Sequence, residues 1–198
     1  MSYVSIALLG AIWGTEYLQA QGLSQSSAAD MVSIAWLGYA VACPLLGAIS
    51  DFSKRRKPAL IFCAILGFFS TSLITYLPLG QHIWAYTVLF FLLGVAASGQ
   101  NIGFATISEH VDLSTRATAL GMNNGVIMLF SAVIPPIVSY FIMQASGGAS
   151  HHLQANDFIR GFTLMPIMYV IGILIAFFLI RETYCKPQKE LIKLNPNV

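Results

Sequence analysis

Residues 47–58 read GAISDFSKRRKP: a glycine, an acid four positions on, four consecutive cations and a proline. The stretch stands out because 57% of the 198 residues are hydrophobic and only 9% are charged, against roughly 25% charged in an ordinary soluble domain. Such a chain has too few polar groups to coat a soluble fold. Working outward from the motif, the apolar residues fall into six blocks, 3–19, 30–50, 58–77, 83–107, 117–143 and 161–180. Each approaches or exceeds the roughly 20 residues that cross a bilayer as a helix. In lipid the backbone polar groups need partners inside the segment, and these blocks are too long for barrel strands. The expectation is an all-α membrane protein, a single bundle over 1–198 with the lipid bilayer as its surroundings.

Charge placement orients the bundle. If the N-terminus is cytoplasmic, the inner segments carry Lys54, Arg55, Arg56, Lys57, Arg116, Arg181, Lys186, Lys189 and Lys193, and the outer loops carry only Arg160. Positive residues stay on the cytoplasmic side, so both termini are expected there. The net charge of +2 is too small to argue for nucleic acid. The start has no positive n-region and is followed by five further blocks, unlike a secretory signal. Cys43, Cys63 and Cys185 show no ligand spacing, and His151 and His152 read as part of an exposed outer loop, so no metal site is expected.

Orientation accounts for the cations but not for what precedes them. An acid contributes little to topology and glycine weakens a helix. Gly47, Asp51, Arg55 and Arg56 resemble the signature of the major facilitator superfamily in the short cytoplasmic loop between the second and third helices of a six-helix half. Two positions depart from it: Lys54 stands where the family usually has a second glycine, which implies a stiffer turn, and Phe52 where a cation is common. Gly47 would allow close approach of a neighbouring helix. Asp51, at the C-terminal end of its own helix, is badly placed for that helix dipole and calls for a cation or another helix N-terminus. The resemblance implies a latch that holds the cytoplasmic side closed, with Glu109 as the local acid for Arg55 or Arg56. A solvated surface pair is the competing reading.

The family has two six-helix halves, and three stretches point to the second: WGTEYLQAQGLS resembles the outer end of helix seven, WLGYAVACPLLGAISDFSKRRKP helix eight with its motif, and ISEHVDLSTRATALGMNNGVIM the link from helix ten into eleven. RETYCK is similar to the cytoplasmic end of helix twelve. The stretch 1–17 reaches about 25 Å at 1.5 Å per residue, short of a full crossing, so a missing N-terminal half is expected as partner. The implied architecture is one half of the fold, a 3+3 inverted repeat.

By the family pattern the first, second, fourth and fifth helices line the cavity. Glu16 is the ionisable residue inside a block and the candidate for proton coupling or a cationic solute; its position beside Trp13 and Tyr17 fits the outer interface as well. Gln100, Asn101, Asn123 and Asn124 place four carboxamides on the fourth and fifth helices, either for solute or for contacts between helices. Tyr39 and Trp36 are amphipathic wall candidates. Gly99 with Gly103, and Gly121 with Gly125, read as packing pairs, and Pro135 with Pro136 should bend the fifth helix. No nucleotide loop, HExxH or GxSxG occurs, so neither an enzyme nor a cofactor is expected. The expected function is secondary active transport of a small organic solute, proton symport by preference, in a bacterial inner membrane. A non-transporting remnant or membrane subunit, or a self-dimerising half-transporter, are the alternatives.

Overall fold

The computed structural model describes residues 2–77, 79–147 and 153–185, and no strand occurs among them. The helices are α1 (Ser2–Ala7), α2 (Gly14–Ala20), α3 (Gln25–Ser53), α4 (Lys57–Tyr76), α5 (Ile83–Ala97), α6 (Gly99–His110), α7 (Arg116–Ala145), α8 (Ala155–Phe162) and α9 (Leu164–Phe178). Five rods, Gln25–Ser53, Lys57–Tyr76, Ile83–His110, Arg116–Ala145 and Ala155–Phe178, are long and apolar enough to cross a membrane. They correspond to the second to sixth blocks. Residues His151, His152, Lys186, Lys189 and Lys193, which entered the sequence reading, lie outside the described residues.

The first block departs from the expected single helix. Its apolar helical part is the shorter Tyr3–Ile12, whose last turn, Leu8–Ile12, winds as a π-helix before the chain breaks at Trp13 and restarts as α2. The Trp13 amide donates to the Leu8 carbonyl at 2.7 Å, five residues back. The Gly10 carbonyl accepts from Trp36 Nε1 on α3 at 2.8 Å, a side-chain donor entering at the irregular turn. At Gly14 a Cβ would lie 1.7 Å from the Leu9 carbonyl oxygen, so only glycine admits the tight restart. Such π segments are local disruptions that packing must support.

Packing runs through backbone contacts at particular glycines. α3 packs chiefly on α5, α4 on α5 and α9, and α7 on α8. A Cβ on Gly38 would come within 2.4 Å of the Phe91 carbonyl oxygen, and one on Gly94 within 2.0 Å of that of Ala35. Gly67 faces the Tyr169 ring, and Gly161 the Val138 carbonyl. These are the close approaches that small residues permit in lipid, where dispersion rather than hydrophobicity joins helices. Apart from the buried Gly99, the glycines singled out by spacing behave otherwise: a Cβ on Gly47, Gly103, Gly121 or Gly125 would meet nothing within 4 Å. Spacing supplied a small-residue face but not a neighbour: among the described residues, a side chain at any of these four positions would enter open space.

At the end opposite the basic motif, an aromatic cluster closes the bundle. Tyr17 lies 5.2 Å from Phe162, 5.6 Å from Phe158 and 6.4 Å from Tyr86, centroid to centroid. Its hydroxyl donates to the Ile74 carbonyl, so a polar handle is satisfied inside an apolar plug. α7 runs as one helix through Pro135 and Pro136. The Ser139 hydroxyl donates to the Pro135 carbonyl at 2.9 Å and accepts from Trp13 Nε1 at 3.2 Å, tying α7 to the first block.

Coverage of the rods is uneven. Half of the apolar window of Ile83–His110 is buried (50%), whereas only 17% is buried in Gln25–Ser53 and 22% in Arg116–Ala145. α3 and α7 are therefore the least enclosed rods, each carrying an exposed ridge: Leu37, Val41, Leu45 and Ile49 on α3, and Met122, Val126, Leu129 and Val133 on α7.

Candidate functional site

The basic motif folds around one arginine. α3 ends at Ser53 and the chain turns through Lys54, whose φ of 52° lies in the left-handed region. Glycine adopts that conformation without a Cβ penalty and lysine does not, which is the physical meaning of a glycine at this turn. The turn returns Arg56 beneath the end of its own helix. Its side chain is 9% exposed, and Nη1 lies 2.6 Å from Asp51 Oδ1 while Nη2 lies 2.8 Å from Glu109 Oε1. Nε also donates to Glu109 Oε1 at 3.1 Å, and Nη1 to the Ser50 hydroxyl at 3.1 Å. Arg56, and not Arg55, is thus the partner of Glu109; Arg55 is exposed.

The two acids are unequal. Asp51 keeps 65% of its side chain exposed and Glu109 only 12%. Burial works against the charge on Arg56, but its hydrogen bonds to Glu109 and then to Asp51 outweigh that and raise its pKa above the ordinary arginine value. A buried guanidinium is tolerable when carboxylates satisfy it.

The segment after α9 completes the cluster, and its role was not read from sequence. The Glu182 carboxylate accepts the backbone N–H of Arg56 at 2.7 Å and of Lys57 at 3.1 Å, one oxygen each. It thereby satisfies orphan donors at the start of α4 and sits at the positive end of that helix dipole. The Thr183 hydroxyl donates to Glu109 Oε2, and the Cys185 thiol faces the Ser50 carbonyl at 3.7 Å. The sequence signals for these residues are an acid just past the end of an apolar block, the argument already applied to Asp51, and the resemblance of RETYCK to the cytoplasmic end of helix twelve. Burial pushes the Cys185 thiol pKa up, although Arg56 pulls it down.

The other candidates divide into two groups. Tyr39, near the middle of α3, meets the Cys43 thiol and the Asn101 side chain on α6, so two candidates are brought together and Cys43 joins them. Tyr39 also stands edge-on to Trp36 at 6.2 Å, and Trp36 to Tyr3 at 6.5 Å; with its N–H spent on Gly10, Trp36 works as a packing residue here. Asn101 and Asn124 are exposed, Gln100 and Asn123 half-buried. Gln100 Oε1 is buried without a hydrogen-bond partner among the described residues. Asn123 lines a cavity of about 660 Å³ between α6, α7 and α9, together with Gly103, His110 and Arg181. Glu16 lies apart, exposed in the first turn of α2, where the helix dipole favours its charge. The structure does not bring it to the Tyr39 group.

The family model of the Major Facilitator Superfamily matches residues 1–194. The chain belongs to the major facilitator superfamily. This superfamily member is also similar to an uncharacterized MFS-type transporter, YxiO, of Bacillus subtilis strain 168, at 26% identity over 152 residues, 72% of this chain and 35% of that relative. The chain thus spans about a third of the length of the curated relative it matches. No solved structure matches it significantly. An integral membrane protein of a transporter family is the identity that fold and comparison share.

Proposed function

We propose that the chain is the C-terminal six-helix half of a secondary active transporter, which moves a small organic solute by alternating access against a missing N-terminal half. The observation that carries this reading is the exposure of carboxamides and glycines on α6 and α7, beside Tyr39 of α3. Asn101, Asn124, Gly121 and Gly125 lie exposed there among apolar neighbours. Exposed carboxamides are costly against hydrocarbon, so such a face belongs against water or another protein surface. The glycines that meet nothing among the described residues supply the smooth surface a second half would pack on. Tyr39, Asn101 and Asn124, with Gln100, whose Oε1 has no partner among the described residues, then form half of a solute site that the other half completes. Asn123 lies beside it in the cavity toward α9.

In this reading the basic end is cytoplasmic, both termini lie on that side of a bacterial inner membrane, and the first block completes six spans of a 3+3 inverted repeat. Gly47, Asp51, Arg56 and Glu109 form the cytoplasmic gate, with Arg55 beside it. Glu16 is the proposed proton-coupling residue for symport, reached from the outer side.

Uptake in vesicles containing the chain with and without a six-helix first half tests the proposal. Uptake that needs both halves is the expected result. Uptake by the chain alone points to the self-dimerising half-transporter, and no uptake in either case to a non-transporting remnant. Glu16→Gln should remove the dependence of uptake on a pH gradient; dependence that survives the change excludes Glu16 from coupling. Asp51→Asn should shift the balance of inward-open and outward-open states without affecting insertion, and unaltered labelling on both faces would defeat the gate assignment.

A further inference from the structure

Among the described residues the latch around Arg56 does not engage the Arg55 side chain, although the two arginines stand side by side in the motif. Arg55 instead lines a surface groove of about 590 Å³ at the start of α4, with Lys57, Ile61, Phe62, Ile65 and Glu182. We propose that this groove binds an anionic phospholipid, the phosphate on Arg55 and Lys57 and an acyl chain along α4.

The groove has the polarity of such a lipid. Its cations sit at one end, where α4 begins, and Ile61, Phe62 and Ile65 follow on the next two turns. From Lys57 to Ile65 the helix rises about 12 Å at 1.5 Å per residue, which carries a bound molecule from the headgroup layer well into hydrocarbon. Phe62 and Ile65 are exposed, and Phe69 and Leu73 continue the exposed ridge along the same helix. α4 packs on α5 and α9, so this ridge faces away from the bundle. Lys57 is held in place, with Nζ donating to the Phe177 carbonyl at 2.6 Å and lying 5.4 Å from the Phe177 ring centroid. An ammonium has three donors, so two remain for a phosphate.

Charge selects the headgroup. Glu182 also lines the groove, but both its oxygens accept backbone N–H groups at the α4 N-terminus. With Arg55 and Lys57 against that single carboxylate, the groove keeps a net positive charge, which favours phosphatidylglycerol over a zwitterionic lipid. A cation at an anionic leaflet is worth about a fivefold preference.

Native mass spectrometry of the full chain, extracted from vesicles of equal phosphatidylglycerol and phosphatidylcholine, tests the site. The expected result is retention of phosphatidylglycerol about fivefold or more over phosphatidylcholine. Arg55→Gln should reduce that retention about fivefold, and Lys54→Gln, exposed on the same turn but outside the groove, should leave it unchanged. Equal retention of the two lipids by the native chain overturns the proposal. So does an equal loss in Lys54→Gln, which would mean diffuse attraction by the loop, or displacement of the lipid by soluble glycerol phosphate at the same concentration, which would mean that the apolar wall contributes nothing. Lipid retention is read without any uptake, so this result stands or falls separately from the transport reading.

Discussion

Arg56 shows how burial sets the value of a charge. Its guanidinium and the Glu109 carboxylate are both largely enclosed, whereas Asp51 is mostly exposed. Removing one partner of a buried pair costs about 3–5 kcal/mol because the other is left uncompensated, while an exposed pair is worth under about 1 kcal/mol. We predict that Arg56→Gln lowers the thermal unfolding temperature in detergent strongly, and that Asp51→Asn barely changes it; equal effects would contradict the asymmetry. At the neighbouring turn the left-handed φ of Lys54 costs about 1 kcal/mol for a residue with a Cβ. Lys54→Gly should therefore raise the same unfolding temperature. Cys185 reports on the cluster from the other side. With its pKa raised by burial, it carries less thiolate at neutral pH than a free cysteine. In a chain lacking Cys43 and Cys63, maleimide labelling of Cys185 should be slow at pH 7, climb with pH beyond the usual thiol range, and accelerate in Asp51→Asn, because that carboxylate helps to hold the thiol pKa up.

Among the elements, glycine spacing and glycine packing part company. Gly38 and Gly94 bring the backbones of α3 and α5 together, and a methyl group at Gly94 would meet the Ala35 carbonyl at 2.0 Å. Overpacking of this kind costs about 1–3 kcal/mol or forces the helices apart. Gly94→Ala should reduce stability in detergent, whereas Gly121→Ala and Gly125→Ala should leave the chain unchanged when it is alone. Gly125→Leu should weaken co-purification with a first half, because the proposed surface for that half would be roughened; undiminished co-purification would count against that surface. The first block makes a related point. Its π segment depends on Trp36 from α3 and on the absence of a side chain at Gly14, neither of which an apolar run reveals.

For the molecule as a whole, α6 and α7 expose the carboxamides Asn101 and Asn124 and the glycines Gly121 and Gly125 among apolar neighbours, while α4 and α9 expose only apolar and aromatic side chains. That division separates a face suited to protein or water from one suited to lipid. The cations divide in the same way: Arg56 turns inward to Glu109 and Arg55 outward to the groove on α4. The cluster at the basic end joins α3, α4, α6 and the segment after α9 through Ser50, Arg56, Glu109 and Glu182, so an opening there must break contacts to several elements together.

Much of this was legible in the order of residues, because lipid imposes a simple rule. A block of some 20 apolar residues has to be helical to satisfy its backbone, and the positions of charge between blocks mark the ends. The all-helical class, the second to sixth blocks as membrane-length helices and the turn at 51–57 follow from that local logic, whereas Glu109 as the acid opposite an arginine came from the resemblance of the motif to the family signature. What the sequence could not show is which groups meet across the bundle. The choice of Arg56 over Arg55, the capping of α4 by Glu182, the Tyr39, Cys43 and Asn101 contact, and the emptiness around Gly47, Gly103, Gly121 and Gly125 depend on helix rotation and on partners more than 50 residues away, or on none at all. Composition states the cost of leaving a group in lipid, and only the tertiary arrangement decides which neighbour relieves it.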